Sequence, residues 1–141
     1  MAAVKDHVTV GAPFANEMEI HRVVYNFAVD AGATGALDLL TTLDAVIIKD
    51  FHAVVKTACT SEGSMVLDVG VSGGDTDILL DGVAVASLGA NTCHARPLVE
   101  GTPNTDLVPF YLAANGKLVQ EIKTAALTAG KIEYVFTVMK A

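Results

Sequence analysis

In KIEYVFTVMK, residues 131–140, Ile132, Tyr134, Phe136 and Val138 share one side of the chain, while Glu133, Thr137 and Lys140 fall at or near polar positions. A period of two belongs to a β-strand, because a helix would divide those four apolar residues between opposite sides of its axis. The same period recurs upstream. EIHRVVYNFAVD sets Val23, Tyr25, Phe27 and Val29 against Val24, Asn26 and Ala28, and the AGATG that follows breaks the strand. SMVLDVGVSG alternates Met65, Leu67, Val69 and Val71 with Asp68, Gly70 and Ser72, after an EGS that reads as a hairpin turn. KLVQEIKTAAL alternates Leu118, Gln120 and Ile122 with Val119, Glu121 and Lys123; it is expected to pair with the closing strand across a turn at Gly130.

Two stretches depart from simple alternation. DAVIIKDFHAVVKTACTS carries Val46, Ile47, Ile48, Val54 and Val55 through polar Lys49, Asp50 and His52, which fits a strand with a bulge or bend between Lys49 and Phe51. DTDILLDGVAVASLG spaces Ile78, Leu79, Val83 and Leu88 roughly as a helix would, with Asp75 or Thr76 as a cap. Gly82 and the β-branched Val83 and Val85 oppose it, so at most a short helix is expected near residues 76–88. Asn91 to Asn104 holds Pro97, Gly101 and Pro103 and reads as a long loop with at most a brief strand. DLVPFYLAANG reads as an interrupted edge strand, since Pro109 has no amide hydrogen to donate.

Roughly six to nine short strands with turn signals about every ten residues describe an all-β fold, a single jelly-roll-like β-sandwich. The length of 141 residues suits one domain, divided here into an N-terminal arm, 1–16, and the sandwich, 17–141. Scaling of surface with mass lets such a chain bury about two-thirds of its unfolded surface without metal or disulfides. Charged residues are only 18% of the chain, fewer than the ~25% of an average domain, which favours a subunit that packs against copies of itself.

A net charge of −7 argues against a phosphate-binding surface, so no nucleic-acid partner is expected. No apolar run approaches the ~18 residues of a membrane span, and MAAVKDHVTV lacks the order of a secretory signal; a soluble product of the cytoplasm is expected. Cys59 and Cys93 are accordingly expected as reduced thiols that pack as small buried hydrophobes. Asp75, Asp77 and Asp81 superficially suggest a calcium loop, but Leu79 and Leu80 stand where a ligand and the sharp-turn glycine belong. Turn and cap duty accounts for the carboxylates. His7, His21, His52 and His94 occur singly, although His94 follows Cys93, and they read as surface or interface residues rather than zinc ligands. No G-x-S-x-G nucleophile motif is present, Glu17 with Glu19 is an uninformative acid pair, and GVSGG lacks the lysine of a phosphate loop. No catalytic, cofactor or metal residue is assigned, and no enzyme is expected. A sugar platform would have to rest on Tyr111, because there is no Trp and both Tyr25 and Tyr134 lie in core registers.

Three passages, VVYNFAVDAGATGALDLL, AVIIKDFHAVVKTACTSEGSMVLDVGVSGGDTDILL and NGKLVQEIKTAALTAGKIEYVFTVMK, resemble small structural proteins of tailed bacteriophages, in particular capsid decoration or cement proteins. The similarity spans residues 19–140 and rests on a β-rich frame rather than on a chemical motif. It implies a virion protein on the outer capsid surface that binds the major capsid protein lattice as a homo-oligomer, a trimer favoured, and stabilises the shell. A tail, neck or adaptor component is the alternative within that class, and a sugar- or receptor-binding sandwich the alternative outside it. Contacts with the shell are expected from loops and from the arm Met1 to Asn16.

Overall fold

The computed structural model describes residues 3–95 and 109–141. Two sheets pack face to face. One runs in the order β1 (Ala3–Val10), β3 (Gly35–Thr42), β9 (Lys117–Lys123), β5 (Val66–Val71), β6 (Leu80–Ala84). The other runs β2 (Met18–Asn26), β10 (Leu127–Lys140), β4 (Val46–Ser61), β7 (Cys93–Ala95), with the short β8 (Phe110–Leu112) also paired to β4. Every paired neighbour is antiparallel except β1 and β3. This is the all-β sandwich that the alternation predicts, and its core is filled by the expected registers: Val23, Tyr25, Met65, Leu67, Val69, Ile132, Tyr134, Phe136 and Val138 are all buried.

The bulge falls where the polar interruption places it. Thr137 faces Asp50 but Val138 faces Ile48, so Lys49 is the extra residue of β4. Its consequence is a change of parity. Val46 and Ile48 point into the core before the bulge, and Phe51, Ala53 and Val55 after it, while Lys49 and Asp50 turn to solvent. Phe51 thereby reaches Phe136, with ring centroids 5.4 Å apart, and Tyr134, at 6.2 Å. Tyr134 Oη donates to Gln120 Oε1 at 2.7 Å, a buried hydrogen bond that ties β10 to β9 across the core.

Several expectations are corrected. Residues 3–10 are not a free arm: β1 pairs with β3, and Val4 and Val10 are buried, because alternate apolar residues can complete a sheet edge. The strand around Tyr25 stops at Asn26, whose side chain accepts from Ala28 N at 3.1 Å and caps a single helical turn, α1 (Phe27–Asp30). Phe27 is therefore only half-buried and Val29 exposed. The expectation of at most a short helix near residues 76–88 holds, as a single 3₁₀ turn, Val85–Ser87, because Leu80–Ala84 joins the sheet as β6. Neither expected hairpin forms. The EGS turn joins β4 to β5, and the turn after Lys123 joins β9 to β10, and each connection passes from one sheet to the other. Gly130 lies inside β10 at φ +146, where a Cβ would meet Cys59 Sγ. The brief strand in the Pro/Gly-rich stretch is β7, and β8 begins directly after Pro109; the rest of that long-loop reading, 96–104, lies outside the described residues.

Candidate interaction surface

The register of the second sheet assembles an apolar belt on its outward face. Met18 of β2 faces Met139 of β10, Met139 faces Ile47 of β4, and Ile47 faces Tyr111 of β8. One row of four apolar side chains thus crosses four strands. Met18 and Tyr111 are 60% and 62% exposed, and Ile20, on the same face of β2, is 65% exposed. Their chain neighbours Val46, Ile48, Leu112 and Val138 are buried, as the two-residue period requires. Phe14 and Leu43 stand exposed in the turns at the end of the sandwich where β2 begins and β3 ends. Lys49 and Asp50 at the bulge give the belt a charged border. Contiguous exposed apolar surface with a polar rim is the arrangement of a protein–protein contact, whereas single exposed apolar residues carry no such meaning.

The outward face of the first sheet is instead covered in part by the chain itself. Ala3, Asp38, Val119 and Gly70 form one row, and a Cβ on Gly70 would overlap the backbone of Asp75 and Thr76. The segment between β5 and β6 therefore lies on the sheet, held by Val71 N donating to Asp75 O at 2.8 Å and Leu79 N donating to Val69 O at 2.9 Å. Beneath and beside it are two carboxylates with buried side chains. Asp38 pairs with Lys117 at 2.9 Å; Asp68 pairs with Lys123 at 2.6 Å and accepts from Gly82 N at 2.7 Å. The hydrogen bond and charge of Asp68 raise the Lys123 ammonium above its ordinary value.

The other sequence candidates disperse. Asp75 accepts from Asp77 N at 3.4 Å in a turn, and no group of three metal-ligating side chains occurs among the described residues. His7 Nε2 lies 2.8 Å from Thr41 Oγ1, His21 Nε2 lies 3.1 Å from Glu19 Oε2, and His94 Nε2 lies 2.9 Å from Ser87 O. His52 sits on β4 opposite Ala95, beside Cys93 opposite Val54. Of the two cysteines expected to be buried, Cys59 is, and burial pushes its thiol up to about 11, whereas Cys93 is exposed because its three-residue strand β7 lies at the end of its sheet. Tyr25 and Tyr134 are core, their phenols raised first by burial, so of the three tyrosines only Tyr111 is exposed. An open groove of about 490 Å³ between β1, β2 and α1 contains Asp6 and Asp30, but backbone amides already occupy both carboxylates.

The fold has a counterpart in a virus particle. A chain of the structure described as "Cyanophage Pam1 capsid asymmetric unit" superposes with a TM-score of 0.58 over 94% of this chain and 91% of that one, at 14% identity. No family model matches the sequence, and no curated protein is similar to it. At that identity the likeness is one of fold. No signal in the sequence marked the apolar belt. Ile47 reads only as part of a strand and Tyr111 only as a loose aromatic, because membership of the belt depends on which strands become neighbours.

Proposed function

We propose that the chain is a structural virion protein that binds the outside of a phage capsid as a homo-oligomer, a trimer favoured, and stabilises the shell without catalysis or cofactor. The observation that carries the reading is the apolar belt Met18, Met139, Ile47, Tyr111 on the outward face of a sandwich whose opposite face is covered in part by the chain itself. The capsid chain of the same fold and the three sequence passages above support the phage context. A subunit of charge −7 has little affinity for the packaged nucleic acid, which leaves the protein shell as its partner. Stabilisation works by linkage. A subunit that binds only the assembled shell shifts it from disassembly by about 2.7 kcal/mol per site at a hundredfold excess over the dissociation constant.

The test locates the subunit in the particle by electron cryo-microscopy and compares particles with and without it for the temperature of DNA release. Copies spread over the shell and a lower release temperature in their absence are expected. Copies confined to one vertex, the tail or fibres would transfer the protein to a tail or adaptor role, and an unaltered release temperature would leave decoration without cementing.

A further inference from the structure

β2 is a free edge of its sheet, and its two halves are treated differently. Val24 N donates to Asp6 Oδ2 at 2.8 Å and Asn26 N to Asp30 Oδ2 at 2.9 Å, so the even-numbered residues of β2 turn their backbone groups away from β10. These two carboxylates block the C-terminal half of the edge, and Asp30 Oδ1 also accepts from Lys5 N of β1 at 2.7 Å. The N-terminal half has no such cover. Among the described residues nothing caps the outward amides of Met18, Ile20 and Arg22, and the side chains beside them are the most exposed of the strand. Sheet edges of native proteins are ordinarily blunted, so an edge whose amides are capped over one half and left open over the other, beside exposed Met18 and Ile20, is a place for strand addition.

We propose that this open half-edge receives the same half-edge of a second copy, antiparallel about Ile20, so that the belt-bearing sheets of two copies run on as one. Backbone parity requires an even residue to face an even residue. Centred on Ile20, the junction sets Met18 against Arg22 of the second copy and Ile20 against its own equivalent, all as hydrogen-bonded pairs. The interface is two-fold, the same five residues on both sides. Its length is fixed by the structure, since Val24 is already occupied by Asp6. Charge selects the same centre. Glu19 then lies opposite His21 of the second copy, and the aliphatic stem of Arg22 lies along Met18. A centre at Met18 would set Glu19 against Glu17, and a centre at Arg22 would oppose two guanidinium groups and collide with the capped Val24; like charges directly opposite destabilise a strand pair. The inference extends the homo-oligomer reading but stands on the strand edge alone.

Sedimentation velocity on the full chain should show association that Ile20→Lys weakens about tenfold or more in dissociation constant, with an unchanged circular-dichroism melt because the side chain is exposed. Register is read by cross-linking in a Cys93→Ser background, with Cys59 buried. Ile20→Cys should oxidise to a covalent dimer, Met18→Cys should not, and Met18→Cys with Arg22→Cys should, since directly facing residues lie within disulfide reach. Association indifferent to Ile20→Lys, or Met18→Cys cross-linking as readily as Ile20→Cys, overturns the junction. Shell binding is measured separately on the same proteins. A wild-type chain that pairs through Ile20 yet ignores shells would remove the functional reading and keep the junction; the reverse result would do the opposite.

Discussion

The two outward faces of the sandwich differ in how they are finished. On the β9 sheet the chain covers part of its own surface: the segment between β5 and β6 lies against Gly70, and Asp38 and Asp68 are neutralised by Lys117 and Lys123. On the β10 sheet the chain leaves Met18, Ile20 and Tyr111 to solvent, with half-buried Met139 and Ile47 between Met18 and Tyr111 in the row. A face covered by the chain itself contributes to the stability of the monomer. A face left open contributes little until a partner covers it, so mutations should separate the two by what they damage.

The largest effect is expected from alkali. Burial raises the Tyr25 and Tyr134 phenols and the Cys59 thiol, and Asp68 raises Lys123, so at high pH the native state holds protons that the unfolded state has released. Stability then falls as pH rises, beginning at the ordinary thiol value of 9.0 and continuing through the Cys59 value of about 11. Tyrosinate absorbance from the two core rings should appear together with the loss of the far-ultraviolet signal; ionisation well before unfolding would contradict their burial. Next comes Gly70→Val, which drives a branched side chain into the backbone of Asp75 and Thr76 and should cost about 3 kcal/mol by urea denaturation. A near-neutral result would mean that the covering segment is not seated on the sheet.

Asp68→Ala should cost about 2 kcal/mol, because it strands Gly82 N and removes the partner of Lys123. Thermal melts at neutral pH measure it. Tyr111→Ser, on the open face, should change stability by no more than about 0.5 kcal/mol while weakening shell binding in a pelleting assay. If its stability falls as far as that of Asp68→Ala, the contrast between the faces fails. Thiol titration makes the smallest distinction: Cys93 should react in the native protein and Cys59 only on unfolding.

Where alternation marked a strand in the sequence, it also determined which side of that strand is apolar. For Ile132, Tyr134, Phe136 and Val138 that was the whole answer, and the polar run after Ile48 located the bulge at Lys49. It could not determine which sheet a strand enters. Two strands with inward apolar sets satisfy the same pattern whether they pair as a hairpin or face each other across the core, which is why β9 and β10, and β4 and β5, read as hairpins. Nor could it tell a solvated position from a covered one, since Gly70 and Asp68 occupy the outward register, the first covered by the returning segment at Asp75 and Thr76 and the second held by Gly82 N and Lys123. The belt belongs to the same class. Met18, Ile47, Tyr111 and Met139 are far apart in the chain, and only the pairing of β2, β10, β4 and β8 sets them in a row, because side chains on neighbouring strands meet through register, a long-range property that no local pattern encodes.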